Sequence, residues 1–430
     1  MKNLVLGVAK GYDWHTLEPF VNSFKKNCPS AELVFFVDDV SEFTRDKLIR
    51  KGVIVEKFPD GLDGIPNNTR WKVFLDFLEV HGDEYEQIFI TDTRDVIFQS
   101  DVFEQFAGLS NWLGCVTEVG DIRGSTTGNT INYEWIVSCF GKDEAEKIAD
   151  QKVICCGTVI GSAAEMKILC RELWKILAHK TTDVFDQAVM NCLAYNGLLP
   201  IENLLEIAFD DGAIFTNGLI MNNATRGDFI LRSDGGIPAV VHQYDRHENL
   251  LRLVERLYRD KNFSFDERFT DPRSLLEQSG CLLFADKDFD AAWLFLKVFF
   301  GTEEFGGYTN LLIEIWKIAV KKTFTRPVEG VELAIQSALF SVGVEQFSAE
   351  QLTEVQKLFV HAAKSNHVVD EKLRFSLASR LFKIAKNAHA LNFDDMCFFY
   401  IKLIDQLHLP PDENFQRLFA EANQIFGRNA

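Results

Sequence analysis

No stretch of this 430-residue chain stays apolar for the ~18–20 residues that cross a bilayer. The greasiest late segment, Phe295 to Phe300, is closely flanked by charged residues. The opening run, Leu4 to Val8, meets Lys10, Tyr12 and Asp13 too soon for a signal-peptide core, and it reads as a first buried strand. Positive charge is scarce as well. Lys and Arg total 45 against 63 Asp and Glu, a net charge of −18. That excludes a broad basic face for nucleic acid or an anionic membrane, while leaving room for one local phosphate site. The nine cysteines contain no C-x-x-C pair of the kind that holds zinc, and Cys155-Cys156 are adjacent. They read as reduced thiols, several of them buried, in a cytoplasmic protein. There is no Gly-x-Ser-x-Gly elbow of a serine hydrolase.

What is present is the balance of a folded chain, 47% hydrophobic and 25% charged, long enough for two or three domains. The first half alternates strand-like and helix-like patterns, which predicts an α/β domain on a mostly parallel, Rossmann-like sheet over residues 1–264. Leu4 to Val8, Leu33 to Val37, Val53 to Val55 and Gln87 to Thr91 are the expected strands, with a helix stop at Gly52. Between them, Leu17, Phe20, Val21 and Phe24, and then Trp71, Phe74, Leu75 and Leu78, fall on single helical faces. From residue 265 to 430 the pattern is all-helical, in windows such as Phe289 to Phe300, Leu311 to Lys321, Leu352 to Ala363, Leu373 to Ala385 and Met396 to Leu407. These lengths suit stacked helical hairpins, without a strict 34-residue repeat, or an irregular helical domain used for packing or partner contact.

Three strands end in polar clusters: Lys10-Gly11-Tyr12, Asp38-Asp39 and Asp92-Thr93-Arg94-Asp95. Ligands of open α/β sheets bind beyond the carboxyl ends of the strands. In the third cluster a buried strand delivers two carboxylates with an arginine between them. Such a pair can hold Mg²⁺ or Mn²⁺, or it can be an Asp-Arg ion-pair cluster. Further on, Ile154 to Gly161 reads as two small strands around Gly157, either a turn or bulge or a close approach to a ligand. Asp183 is a candidate N-cap of the next helix, with Asp186 and Gln187 in its first turn. A last strand leads into His242, an imidazole suited to Mn²⁺, and Arg246 and His247 follow as phosphate contacts or helix caps.

Asp92 to Asp95 resembles the DxD region of GT-A glycosyltransferases, although the spacing here is Asp-x-Arg-Asp. Asp95 lies six residues before Asp101-Val102-Phe103, as the last aspartate of several such families precedes Asp-Pro-Phe. The resemblance makes Asp95 the main metal ligand and leaves Asp92 to a metal water, the metal or the ribose, with Thr93 two residues before Asp95. It implies that Ala9, Lys10, Gly11 and Tyr12 hold the base and ribose, and that Asp38 or Asp39 contacts the base. Arg70 and Lys72 would approach the diphosphate, as would Arg94, and Gly157 and Thr158 would lie against the donor sugar. Asp186 is then the key acid, Gln187 a sugar contact and His242 the third metal ligand.

The implied protein is a metal-dependent Leloir-type transferase. It would move a sugar from a nucleotide-diphosphate donor, by resemblance a UDP-sugar, to the hydroxyl of a glycan or glycolipid in bacterial surface glycan assembly. Peripheral membrane association, a homo-oligomer or a partner on the helical half is compatible with this. Two alternatives stand beside it. One is a binding scaffold on a degenerate transferase fold, favoured by the unusual motif spacing. The other is a sugar nucleotidyltransferase, disfavoured because Val8 to Trp14 has one glycine and no arginine.

Overall fold

The computed structural model describes residues 1–299 apart from 63, 182, 211, 221 and 222. The chain divides into two compact units, Met1–Arg259 and Asp260–Ala430. The first opens with β1 (Lys2–Lys10), α1 (Trp14–Asn27), β2 (Glu32–Asp38), α2 (Glu42–Arg50), β3 (Ile54–Lys57), α3 (Pro66–His81) and β4 (Tyr85–Thr91). It continues with β5 (Val96–Phe98), β6 (Trp112–Asp121), α4 (Ile131–Phe140), α5 (Lys142–Ile148), β7 (Lys152–Ser162), α6 (Ala163–Leu177) and α7 (Asp186–Tyr195). It ends with β8 (Asn203–Ile207), β9 (Ile214–Thr216), β10 (Ala224–Arg226), β11 (Phe229–Leu231), β12 (Val240–His242) and α8 (Glu248–Tyr258).

Seven strands form the central sheet in the order β3-β2-β1-β4-β7-β6-β8. All run parallel except β7, which is antiparallel to both of its neighbours. The continuous apolar runs of β1, β2 and β4 are what a sheet covered on both faces requires. One face carries α3, α6 and α7, whose Trp71, Phe74, Leu169, Leu173 and Val189 join a single core cluster with Leu4, Ile88 and Ile90. Each such large side chain contributes roughly 1.5–3 kcal/mol on burial. On the other side, Phe20 and Phe24 of α1 meet the Phe98 ring edge-on at 5.3 and 5.4 Å.

A second sheet, β5-β12-β9, is small but positions the site. Its β12 pairs antiparallel with β5, setting His242 opposite Val96, and parallel with β9. The second unit contributes α9 (Pro272–Phe284), capped by the Asp271 carboxylate accepting from the Ser274 N–H at 2.9 Å, and α10 (Asp288–Phe299). Phe289 to Phe300 thus falls largely on α10. The later helical windows, from Leu311 onward, lie outside the described residues.

Three local readings are corrected. Residues 154–161 form one strand and not two, because β7 runs unbroken from Lys152 to Ser162; of the turn and the bulge left open at Gly157, the register shift against β6 beside it is the bulge. The third strand begins at Ile54, because the Val53 N–H is used to close α2 on the Leu48 carbonyl at 3.0 Å, just after Gly52 at φ +72°. Asp183 does not cap α7, which begins at Asp186; its carboxylate accepts from the adjacent Val184 N–H. The cap comes from α3 instead. Asn68 Oδ1 accepts from the N–H groups of Phe185 and Asp186 at 3.0 and 3.2 Å.

Candidate active site

The Asp92–Asp95 segment leaves the carboxyl end of β4 at the middle of the sheet. Its shape is fixed by backbone pairs: the Asp92 N–H donates to the Gly157 carbonyl at 2.8 Å, and the Asp95 carbonyl accepts from the Gln243 N–H at 2.7 Å. Thr93 turns inward and donates to the Val8 carbonyl at 2.9 Å, filling the space over Gly7. Asp92 and Asp95 therefore point towards His242 at the end of β12.

One ligand atom from each of Asp92, Asp95 and His242 lies within 4.8 Å of the others. His242 Nε2 is 3.6 Å from Asp92 Oδ2 and 3.8 Å from Asp95 Oδ1. That nitrogen is buried and, among the described residues, makes no hydrogen bond of normal length, a state that costs about 1–3 kcal/mol unless something occupies it. Two carboxylates and one imidazole form a hard-to-borderline donor set that suits Mn²⁺ or Mg²⁺. Gly157 completes the cradle, since a Cβ there would lie 2.6 Å from Asp92 Oδ2 and 2.9 Å from His242 Nε2. Glycine is required here by the clustered side chains themselves.

The charges of the cluster are mutually adjusted. Burial works against the Asp92 carboxylate, but Arg70 and His242 hold it well below the usual range. Burial raises Asp95, reinforced by Asp92 and opposed by His242. His242 would be lowered by burial, and Asp92 and Asp95 reverse that and raise it. A divalent cation among these groups would compensate both carboxylates at once.

Beside the cluster opens a cavity of about 310 Å³. Its walls are Val8, Lys10 and Tyr12 from the end of β1, Pro66, Asn67 and Arg70 from α3, and Thr91 to Asp95. Arg94 is half-exposed and reaches Asp245 at 3.3 Å and Asp95 at 3.5 Å. Lys10 pairs with Asp38 at 2.7 Å. Gly11, at φ +72°, hydrogen-bonds back to the Asp38 carbonyl, which keeps Asp38 and Asp39 beside this corner without making them cavity walls.

Arg70 is buried, and both of its terminal nitrogens are engaged. It donates to Asp92 Oδ1 at 2.6 Å, Asp186 Oδ2 at 2.8 Å and the Cys156 carbonyl at 3.0 Å. Burial opposes its charge, and Asp186 and Asp92 more than restore it. Lys72 lies two residues on, on another side of α3, and binds Asp76 at 2.5 Å. Asp186 is 2% exposed. Its Oδ1 accepts from the Gln187 N–H at 2.9 Å, while Oδ2 holds Arg70. Burial raises its pKa, with Arg70 opposing. Gln187 accepts from the Cys156 N–H at 3.3 Å and donates to Asn132 at 2.7 Å and Glu118 at 3.3 Å. Neither Asp186 nor Gln187 is a wall of the cavity. Thr158 and Ala9 are buried in their strands, the Thr158 hydroxyl without a partner among the described residues.

Sequence reasoning missed Asn68, Glu118, Asn132 and Asn191. Asn191 clamps β7 by bonding both the N–H and the carbonyl of Ile154 at 2.9 Å. No local pattern marks these residues, because each acts on a segment distant in sequence.

A seven-stranded sheet with one reversed strand, that strand's glycine facing a DxD-like pair, and a late histidine closing the pair are now in place. The fold class expected from the sequence, a mostly parallel α/β sheet flanked by helices, is what the first unit shows. Among solved structures, the galactosyltransferase LgtC in complex with donor and acceptor sugar analogues is similar at 15% identity, covering 62% of this chain and 98% of that chain with a TM-score of 0.37. The glycosyltransferase GlyE of Streptococcus pneumoniae is similar at 14% identity over 48% of this chain and 45% of that one, with a TM-score of 0.31. Glucosyl-3-phosphoglycerate synthase from Mycobacterium tuberculosis, in complex with Mn²⁺, UDP and glucosyl-3-phosphoglycerate, is similar at 12% identity over 48% and 69%, with a TM-score of 0.31. No protein-family model and no curated protein matches the sequence. Among the described residues, no helix is long and apolar enough to cross a membrane.

Proposed function

We propose that this GT-A-like chain is a glycosyltransferase that moves a sugar from a nucleotide-diphosphate donor, a UDP-sugar, to an acceptor hydroxyl. The observation that carries the reading is the convergence of Asp92, Asp95 and the unpartnered His242 Nε2 beside a cavity edged by Lys10 and Arg94. Asp92, Asp95 and His242 would hold Mn²⁺ or Mg²⁺, which when bound neutralises the diphosphate leaving group. Lys10 and Arg94 supply charge-assisted donors for phosphate oxygens, and Tyr12 offers a ring and hydroxyl to the base or ribose. Arg70 joins Asp92 rigidly to Asp186, so the metal-holding carboxylate and the proposed acidic residue share one anchor. The acceptor is a glycan or glycolipid of bacterial surface glycan assembly, reached in the cytoplasm. Residues 265–430 serve acceptor, partner or self-association contacts in this proposal.

One observation favours a second reading, a nucleotide-sugar-binding scaffold without turnover. The oxygens of Asp186 and the side chain of Gln187 are already occupied by protein groups. A thermal-shift series with UDP-sugars tests the binding claim. At ~100 times its dissociation constant a donor should add about 2.7 kcal/mol, only with Mn²⁺, and the shift should vanish in Asp95→Ala and His242→Ala. No shift in the wild type would sink both readings. A metal-dependent shift without UDP release on adding acceptor would select the scaffold.

A further inference from the structure

His242 has two ring nitrogens, and only one faces the carboxylates. The other, Nδ1, lies 3.8 Å from Cys155 Sγ, and both side chains are buried. The same sulfur accepts the Gly157 N–H at 3.3 Å, so it is fixed against the backbone of the strand that completes the cradle. The Glu118 carboxylate stands beside the thiol and raises its pKa, burial being the larger cause. A hydrogen-bond assignment follows for the thiol. Its hydrogen is directed to Glu118, and the sulfur lone pairs receive Gly157 N–H and His242 Nδ1–H. Nε2 is left facing Asp92 and Asp95 at 3.6 and 3.8 Å, the position from which its lone pair would reach a cation shared with them.

We infer that Cys155 is a positioning residue for His242: its sulfur holds the imidazole in the Nδ1–H tautomer and aims Nε2 at a divalent cation shared with Asp92 and Asp95. This rests on the metal-site reading above. It adds a role for a buried thiol that would otherwise be read as inert core. Metal-bound histidines generally direct their second nitrogen to a carboxylate or carbonyl, and losing that partner typically costs 10–100-fold in affinity. Here a thiol takes that place and Glu118 stands behind it.

The test is performed on the full chain, without turnover. Free Mn²⁺ is titrated by electron paramagnetic resonance for the wild type, His242→Ala, Cys155→Ala and Cys155→Ser. The wild type should bind Mn²⁺. Cys155→Ala should lose at least about tenfold in affinity, and Cys155→Ser, whose hydroxyl can accept from Nδ1–H, should restore it. Unchanged affinity in Cys155→Ala, or no recovery in Cys155→Ser, would overturn the inference while leaving the metal site standing. If the wild type bound no Mn²⁺, or His242→Ala bound it equally well, the metal-site reading would fall and this inference with it.

Discussion

Arg70 shows how one side chain can bind a site together and at the same time restrict it. Its guanidinium spans Asp92, Asp186 and the Cys156 carbonyl, three acceptors on three elements. Lysine could not replace it, because a point charge cannot serve three divergent acceptors in one plane. Removing the charge leaves Asp186 buried without a cation, which typically costs 3–5 kcal/mol. Arg70→Met should therefore destabilise the chain by about that amount in urea unfolding, and Asp186→Asn added to it should recover part of the loss. Equal stability of wild type and Arg70→Met would contradict the arrangement. The residue types of this cluster were legible in the sequence, as were Asp95 and His242 as metal-type groups at strand ends. The partners were not. Arg70 looked like a free cation for a diphosphate, yet its ion pairs are with positions 22 and 116 residues away.

At the scale of elements, the strands were legible wherever apolar residues ran continuously, and unreadable where contacts from afar decided. At Cys155-Cys156-Gly157 the sequence left a turn, a bulge or a close approach open, and Asn191 and the Asp92 N–H hold β7 extended through it. Likewise α7 starts where Asn68 caps it, three residues past the local candidate. Helix α1 offers a case with a measurable consequence. Pro19 lies inside it and has no N–H for the His15 carbonyl. Arg259 replaces the missing donor, reaching the His15 carbonyl at 2.6 Å and the His15 Nδ1 at 2.5 Å. Burial, then the Arg259 charge, lowers the His15 pKa from 6.5 to about 3. Because the unfolded chain takes up this proton near pH 6.5 and the folded chain only near 3, stability falls as pH falls between those values. One group contributes at most about 1.4 kcal/mol per pH unit there. His15→Gln keeps an acceptor for Arg259 and removes the titration. Its urea midpoint should change less than that of the wild type between pH 7.5 and pH 5; identical pH dependence would refute the assignment.

For the whole molecule, the decisive step is that strands far apart in sequence converge on one point. The pairing of β12 with β5 brings His242 to the Asp92–Asp95 segment, and β7 supplies the one residue type that leaves room between them. The surrounding charge then bears on what this point attracts. With a net charge of −18 the chain repels a free nucleotide and attracts a divalent cation. If the chain binds a cation and a nucleotide-diphosphate donor as proposed, this field favours cation first, then donor. His242 and Asp95 are too buried for salt to screen their direct contact with a bound ion. The long-range field is screened, because the Debye length drops from about 30 Å at 0.01 M salt to about 10 Å at 0.1 M. Mn²⁺ affinity should therefore weaken as an inert salt is raised across that range, mainly through slower association. Stopped-flow Mn²⁺ binding at several ionic strengths measures this directly. An association rate independent of salt would mean that the net charge plays no part in loading the site, and that local geometry alone sets its affinity.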